Sequence, residues 1–215
     1  MTVATAMVVG SFVVFVLLLA PLSSVVGEDR TGLVVPLLVA ASESVLLYVV
    51  WALAIKKYRV NWWMVGLQSP RTRRNVLLAG GTLLAGLLFS GIYAVVVAGL
   101  GIEALEPDPL PDELLQGGPL VRLLTAVAIA GWVPFVEEVF FRGFLFQGLA
   151  SRYGVFWGAT VSSAIFAVSH LMVGAMTPIF VTGLLFAWVY ARSRSLWLPM
   201  AAHSAQNLLA LIVVG

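Results

Sequence analysis

Long apolar runs separated by short polar loops are the feature that most constrains how this chain can fold. Most runs are close to the roughly 20 residues that an α-helix needs to cross a bilayer core, whereas the fourth is longer and the sixth is short. The sequence contains about seven such runs, which predicts an all-α protein, a polytopic bundle of transmembrane helices forming one membrane domain over residues 1–215. The approximate bounds are Val3–Val26, Leu33–Ile55, Asn75–Leu100, Leu120–Ala150, Val155–Met176, Pro178–Ala191 and Leu196–Val214.

Charged residues are scarce, and their scarcity excludes several classes of protein. Only 10% of the residues are Asp, Glu, Lys or Arg, whereas 61% are hydrophobic. A soluble domain has about 25% charged residues. The net charge of +2 is too small for a phosphate-binding surface, so we expect lipid and a membrane-associated substrate as partners, and no nucleic acid. The absence of cysteine excludes disulfides, thiolate nucleophiles and cysteine-ligated metal sites.

The loops between the runs divide by charge, which predicts the orientation in the membrane. Basic residues cluster between the second and third runs: Lys56, Lys57, Arg59, Arg71, Arg73 and Arg74. Acidic residues occupy loops on the other side: Glu28, Asp29, Glu103, Glu106, Asp108, Asp112 and Glu113. Because basic loops remain in the cytoplasm, the amino terminus is predicted to be cytoplasmic.

Two loops have a distinctive composition. Residues 56–74 combine Trp62 and Trp63 with basic side chains, which is typical of an interfacial helix on the cytoplasmic leaflet and leaves open a role in substrate docking. Residues 101–119 are acidic and proline-rich, which predicts an extended external connection.

Few ionisable side chains remain inside the predicted membrane segments, and such residues are usually functional. They are Glu43, Glu137, Glu138, Arg142, His170 and His203. Glu138 and Arg142 are four residues apart and are therefore predicted to pair on one helix face. Glu137 is rotated by about 100° from Glu138 on an ordinary α-helix, so it points toward a different group. Glu43 is compatible with a gate, a second polar network or a helix–helix hydrogen bond.

Two further pairs with a spacing of four residues carry amide or imidazole groups. Phe166 precedes His170, and His203 precedes Asn207. With Glu137, these side chains could form one polar pocket suited to hydrolysis of an amide. A carboxylate can take a proton from water and pass it to the leaving amine, while His and Asn orient the water or stabilise the oxyanion. A proton-relay transporter and a catalytically silent peptide-binding immunity protein are the alternatives, although a relay does not need the amide of Asn207.

Three ordered motifs resemble those of a known family. The stretch EEVFFRGFLF, from Glu137 to Phe146, resembles the EExxxR motif of the CPBP family of intramembrane proteases (CAAX proteases, bacteriocin-processing and Abi proteins, related to Rce1). The stretch FAVSH, ending at His170, resembles the FxxxH motif, and SLWLPMAAHSAQN, ending at Asn207, resembles HxxxN. The similar region covers about residues 120–211.

The resemblance implies a role for each motif residue. Glu137 would be the general base that activates water together with His170, while His203 and Asn207 would form the oxyanion side. Glu138 and Arg142 would be the supporting pair. No obligatory metal is expected; if zinc or another divalent metal were bound, its ligands would be Glu137, His170 and His203. The resemblance and the small size also imply a bacterial cytoplasmic membrane protein that cleaves a membrane-associated protein or peptide, in tail processing, sorting or CAAX-like cleavage.

Overall fold

The structure is a computed structural model that describes residues 28–70, 73–107 and 118–214. Every regular element in these three ranges is helical, so the all-α prediction is confirmed for them. The first predicted run, Val3–Val26, lies outside the described residues, as do residues 108–117 of the predicted external loop.

The described chain forms eight α-helices joined by π-helical and 3₁₀ segments. The α-helices are α1 (Glu28–Val50), α2 (Trp62–Val65), α3 (Arg73–Leu100), α4 (Pro119–Thr125), α5 (Val133–Glu137), α6 (Gln147–Ser169), α7 (Met176–Ser193) and α8 (Trp197–Val214). The π-helical segments are Trp51–Lys56, Ala126–Trp132 and Glu138–Phe146, and the 3₁₀ turns are Glu103–Leu105 and Val173–Ala175. π-helical turns are rare in proteins, and those that occur are often found at functional sites. The two π-helical segments on either side of α5 therefore single out the region around Glu137.

Four helical segments of the described chain are long and apolar enough to cross a membrane. They are Leu33–Lys56, Asn75–Leu100, Pro119–Ser169 and Val173–Ser193. The first two agree closely with predicted runs. The predicted number of seven spans is not confirmed.

One predicted boundary agrees with the structure and two differ. The helical segment Pro119–Ser169 is interrupted at Gly154, which lies between the predicted fourth and fifth runs and has non-helical angles (φ 85°, ψ 163°) that glycine tolerates. The fifth run was expected to reach Met176, but α6 ends at Ser169 and Leu171 has a positive φ of 54°. The sixth run was expected to be short, but its span is 21 residues long, Val173–Ser193. Hydrophobicity alone did not reveal the turn because its residues are mostly apolar.

Two compact units make up the described residues, and each draws on separate parts of the sequence. The first lies within Met1–Arg59, Pro109–Glu137 and Ser204–Gly215, and the second within Val60–Asp108 and Glu138–His203. The prediction of a single membrane domain therefore stays a prediction.

In the first unit, side-chain hydrogen bonds join α1 and α8 to the π-helical segment Ala126–Trp132. Trp132 Nε1 donates to Ser44 Oγ at 3.0 Å and to the carbonyl oxygen of Ala40 at 3.1 Å. Asn207 Nδ2 donates to the carbonyl oxygen of Ile129 at 2.9 Å. Hydrogen bonds thus connect this π-helical segment to two other helices.

In the second unit, hydrogen bonds connect the end of α2 and the residue that follows it to α6, to α7 and to the segment before α8. Gln147 Nε2 and the Tyr190 hydroxyl both donate to the carbonyl oxygen of Val65, each at 3.0 Å. Gly66, with φ 111°, closes the turn, and the backbone N–H of Leu196 donates to its carbonyl oxygen at 2.9 Å. Packing is close enough here that a side chain at Gly66 would collide with Tyr190.

Helix α2 presents large hydrophobic side chains outward. Trp63 and Met64 are both 64% exposed, whereas Val65 is buried. The predicted interfacial helix is therefore the short helix α2, which Asn61 caps by accepting from Met64 N at 3.1 Å. Whether α2 contacts lipid or substrate stays a prediction.

Candidate active site

A buried ion pair lies at the centre of the polar residues of the second unit. Arg142 Nη1 is 2.8 Å from Glu138 Oε1, and neither side chain exceeds 1% exposure. The predicted contact between these residues is therefore present. His203 Nδ1 lies 3.1 Å from the same oxygen, so Glu138 connects the first and third predicted motifs.

Aromatic rings and a carbonyl group surround the guanidinium of Arg142. Its central carbon lies 4.3 Å from the ring centre of Phe166 and 5.3 Å from that of Phe186. Its Nη2 atom donates to the carbonyl oxygen of Gly183 at 3.3 Å. Stacking on aromatic faces and hydrogen bonding to oxygen both reduce the free-energy cost of burying this cation.

Phe166 also contacts both histidines of the chain. Its ring centre is 4.7 Å from that of His170 and 5.9 Å from that of His203, in edge-to-face arrangements. Phe186, on α7, also contacts His203, with 5.2 Å between the ring centres. The two imidazoles and the ion pair therefore share one aromatic environment.

The hydrogen-bond partners determine which nitrogen of each imidazole carries a proton. His170 Nδ1 lies 2.8 Å from the carbonyl oxygen of Phe166, which can only accept. Nδ1 of His170 is therefore protonated, and in the neutral ring Nε2 is the acceptor. The same argument applies to His203, because its partner Glu138 Oε1 also accepts from Arg142.

His170 differs from its expected position inside a membrane helix. It is the residue that follows the last turn of α6, and its bond to Phe166 closes that turn. The next residues form a tight turn before α7, in which Gly174 approaches the carbonyl group of Glu106 so closely that a Cβ atom there would lie 1.9 Å from that oxygen. The segment around Glu106 thus holds the turn that follows His170.

Glu137 and Asn207 lie in the first unit. Glu137 is the last residue of α5 and is 7% exposed, directly before Glu138 in the chain. Asn207 lies one helical turn after His203 on α8 and directs one amide hydrogen to Ile129. The predicted catalytic roles of Glu137, His170, His203 and Asn207 stay predictions.

Sequence reasoning missed the surroundings of Arg142. Gly183 was not singled out, yet it provides the carbonyl acceptor, and a Cβ atom on it would lie 2.9 Å from Cβ of Ser163. Phe186 was also missed. An available signal was the spacing of Gly183, Phe186 and Tyr190, which places them on one face of α7 at intervals of three and four residues.

The described residues do not fit a metal centre built from three protein ligands. In that part of the chain no three His, Asp or Glu side chains are grouped so that they could hold a metal ion. Whether Glu137, His170 and His203 bind a metal stays a prediction.

The region that carries these residues matches the model of a known family. Residues 119–209 match the family described as "Type II CAAX prenyl endopeptidase Rce1-like". This part of the chain is similar to the Rce1-like family. The matched range includes every predicted site residue from Glu137 to Asn207, and it agrees with the 120–211 region expected from the motifs.

Two curated proteins are similar to the chain beyond chance. "Putative membrane peptidase YdiL" of Bacillus subtilis (strain 168) is 27% identical over 124 residues, which is 58% of this chain and 49% of that protein. "Uncharacterized 24.3 kDa protein" of Escherichia coli is 28% identical over 156 residues, which is 70% of each protein. The match to YdiL thus spans about half its length. No solved structure matches the chain significantly.

Proposed function

We propose that this protein is an intramembrane endopeptidase that hydrolyses a peptide bond of a membrane-associated protein or peptide. The observation that carries the proposal is the buried network of Glu138, Arg142 and His203, directly after Glu137 in the Rce1-like region. Buried charges are costly in an apolar helical protein and are usually retained for function. The name of the relative YdiL points to the same activity.

The proposed reaction uses Glu137 as the general base. Its carboxylate takes a proton from water as the water oxygen bonds to the carbonyl carbon of the substrate. The same proton then passes to the leaving nitrogen as the C–N bond breaks, which returns Glu137 to its ionised form. His170 suits the orientation of that water, because its neutral ring presents Nε2 as an acceptor.

The Glu138–Arg142–His203 network suits stabilisation of the oxyanion. His203 bonds Glu138 through Nδ1, and Arg142 bonds the same carboxylate oxygen. The network thus holds an imidazole next to a buried guanidinium, and their N–H dipoles would stabilise the negative charge that develops on the oxyanion.

The surroundings of the reaction are also part of the proposal. The basic loop around α2 would face the cytoplasm, as the positive-inside rule requires, in a bacterial cytoplasmic membrane. The exposed aromatic residues of α2 would lie at the membrane surface. The substrate would be a peptide or protein tail held in the membrane, and no metal would be obligatory.

The test compares the protein termini of cells that produce the wild-type protein with those of cells producing the Glu137→Gln variant. Gln keeps the size of the side chain but cannot take a proton from water. We therefore expect one or more protein termini that are present with the wild type to be absent with the variant. His170→Ala should remove the same termini, because it removes the proposed water acceptor. Mass spectrometry of labelled termini finds the substrate and the cleavage site together.

A matched control separates catalysis from folding. Glu103→Gln makes the same chemical change at an exposed residue of the second unit, and it should leave the termini as in the wild type. All variants must be present in the membrane in equal amounts. Identical termini in the wild type and in Glu137→Gln cells would exclude the peptidase and favour a silent binding protein or a transporter.

A further inference from the structure

Pro134 leaves a hydrogen-bonding gap in the helix that leads to Glu137. Proline has no backbone N–H and cannot donate to a preceding carbonyl group. In a π-helix, the donor for a carbonyl is the N–H group five residues later. Ile129 lies in the π-helical segment Ala126–Trp132, and the residue five positions after it is Pro134. The π-helical donor for the Ile129 carbonyl is therefore missing from its own helix.

Asn207 supplies a donor at this position. Its Nδ2 atom lies 2.9 Å from the carbonyl oxygen of Ile129, within ordinary hydrogen-bond distance. Inside a membrane an unsatisfied carbonyl group is costly, because no water can replace the lost donor. The contact therefore stabilises the π-helical segment.

Trp132, the last residue of the same segment, connects it to a helix that precedes it in the sequence. Its Nε1 atom donates to Ser44 Oγ and to the Ala40 carbonyl oxygen, both on α1. Ser44 Oγ itself donates to the Ala40 carbonyl at 2.7 Å, so the acceptors are fixed relative to each other. The polar stretch around Glu43, whose role the sequence left open, thus includes a helix–helix hydrogen bond.

The direction of Glu137 depends on this segment. Glu137 ends α5, which begins immediately after Trp132. A π-helical turn acts like one inserted residue, so converting it to an α-helical turn would rotate the following helix by about 100°. A carboxylate rotated by that angle would face a different part of its surroundings.

We propose that Asn207 and Trp132 are positioning residues that hold the π-helical segment before Glu137 and thereby direct its carboxylate. Asn207 would act through the Ile129 carbonyl group, in addition to any contact of its second amide hydrogen with substrate. The catalytic part of this inference rests on the proposed function, because it assumes that Glu137 is the base. The structural part, the two holds on the segment, does not depend on it.

The experiment uses two variants of the full chain in nanodiscs. Asn207→Leu removes the donor to Ile129 with little change in size, and Trp132→Phe removes the indole N–H at a residue that has no proposed contact with substrate. Trp157→Phe is the matched control, since Trp157 is 58% exposed and belongs to the second unit. Hydrogen–deuterium exchange of the amides in residues 126–137 measures whether the segment is held.

We expect faster exchange in residues 126–137 for both variants and wild-type exchange for the control. We also expect formation of the Glu137-dependent terminus to slow by about 10- to 100-fold at saturating substrate with KM unchanged, since a displacement of about 1 Å can cost 100-fold in rate. Unchanged exchange in both variants would overturn the proposal. Faster exchange in Trp132→Phe with a wild-type cleavage rate would overturn its positioning part.

The outcomes also separate this inference from the proposed function. A loss of cleavage confined to Asn207→Leu, without faster exchange, would leave Asn207 as an oxyanion donor alone and overturn the positioning role. If the wild type forms no Glu137-dependent terminus, the peptidase function fails. The exchange measurement then decides by itself whether Asn207 and Trp132 hold the segment.

Discussion

Replacement of Arg142 by methionine gives the most direct test of the buried network. Arg142 is 1% exposed and lies 2.8 Å from Glu138, which is fully buried. Methionine fills much of the same space but removes the cation. Glu138 would then remain as a buried carboxylate without its arginine partner.

The expected loss of stability follows from the burial of this pair. Breaking a buried ion pair by removing one partner costs about 3–5 kcal/mol, because the other charge stays in a medium of low polarity. The unfolding equilibrium constant should therefore rise by roughly 140- to 3,700-fold for Arg142→Met. Replacing both partners, as Glu138→Gln with Arg142→Met, removes both charges and should recover at least about 2 kcal/mol of that loss.

Reversible unfolding in mixed micelles, with increasing SDS and detection by tryptophan fluorescence, measures these free energies. Arg152→Met is the matched control, because Arg152 is exposed and lies 5.5 Å from the ring of Tyr153. Its effect should stay within about 0.5 kcal/mol. The reasoning is refuted if Arg142→Met is as stable as the wild type, or if the double variant is no more stable than Arg142→Met.

Two further predictions concern the turn after His170 and the need for a metal. Gly174→Ala places a Cβ atom 1.9 Å from the Glu106 carbonyl oxygen, so it should lower the free energy of unfolding by about 1–3 kcal/mol in the same assay. Gly91→Ala, which has nothing within 4 Å, should be neutral or stabilising by up to about 1 kcal/mol, and equal effects of the two substitutions would contradict the argument. Purified protein should keep full cleavage activity on the substrate identified by its termini after exhaustive chelation, and a loss that zinc restores would establish an obligatory metal.

Contacts within one helix could be predicted from the sequence, whereas contacts between helices could not. Glu138 and Arg142 are four residues apart, and α-helical periodicity places such residues on one face. The partner of Asn207, the Ile129 carbonyl group, lies 78 residues away in sequence. No local pattern indicates which face of α8 meets which carbonyl group.

The expected direction of Glu137 shows the same limit within a single helical segment. The rotation of about 100° from Glu138 assumed an ordinary α-helix. In the structure Glu138 begins a π-helical segment, and another π-helical segment precedes α5. Hydrophobic periodicity does not report such local changes in winding, because almost every residue here is apolar and the pattern has little contrast.

The sequence by itself determined the helical class, the apolar runs, the order of the three motifs and the Glu138–Arg142 pair. These depend on composition and on spacing along one helix, both of which are local properties. Only the tertiary structure decided that Phe166, Phe186 and Gly183 surround Arg142, and which nitrogen of His170 carries the proton. Those features depend on how helices turn and approach one another, which is set by proline, glycine and π-helical turns whose effects on packing appear only when the chain is folded.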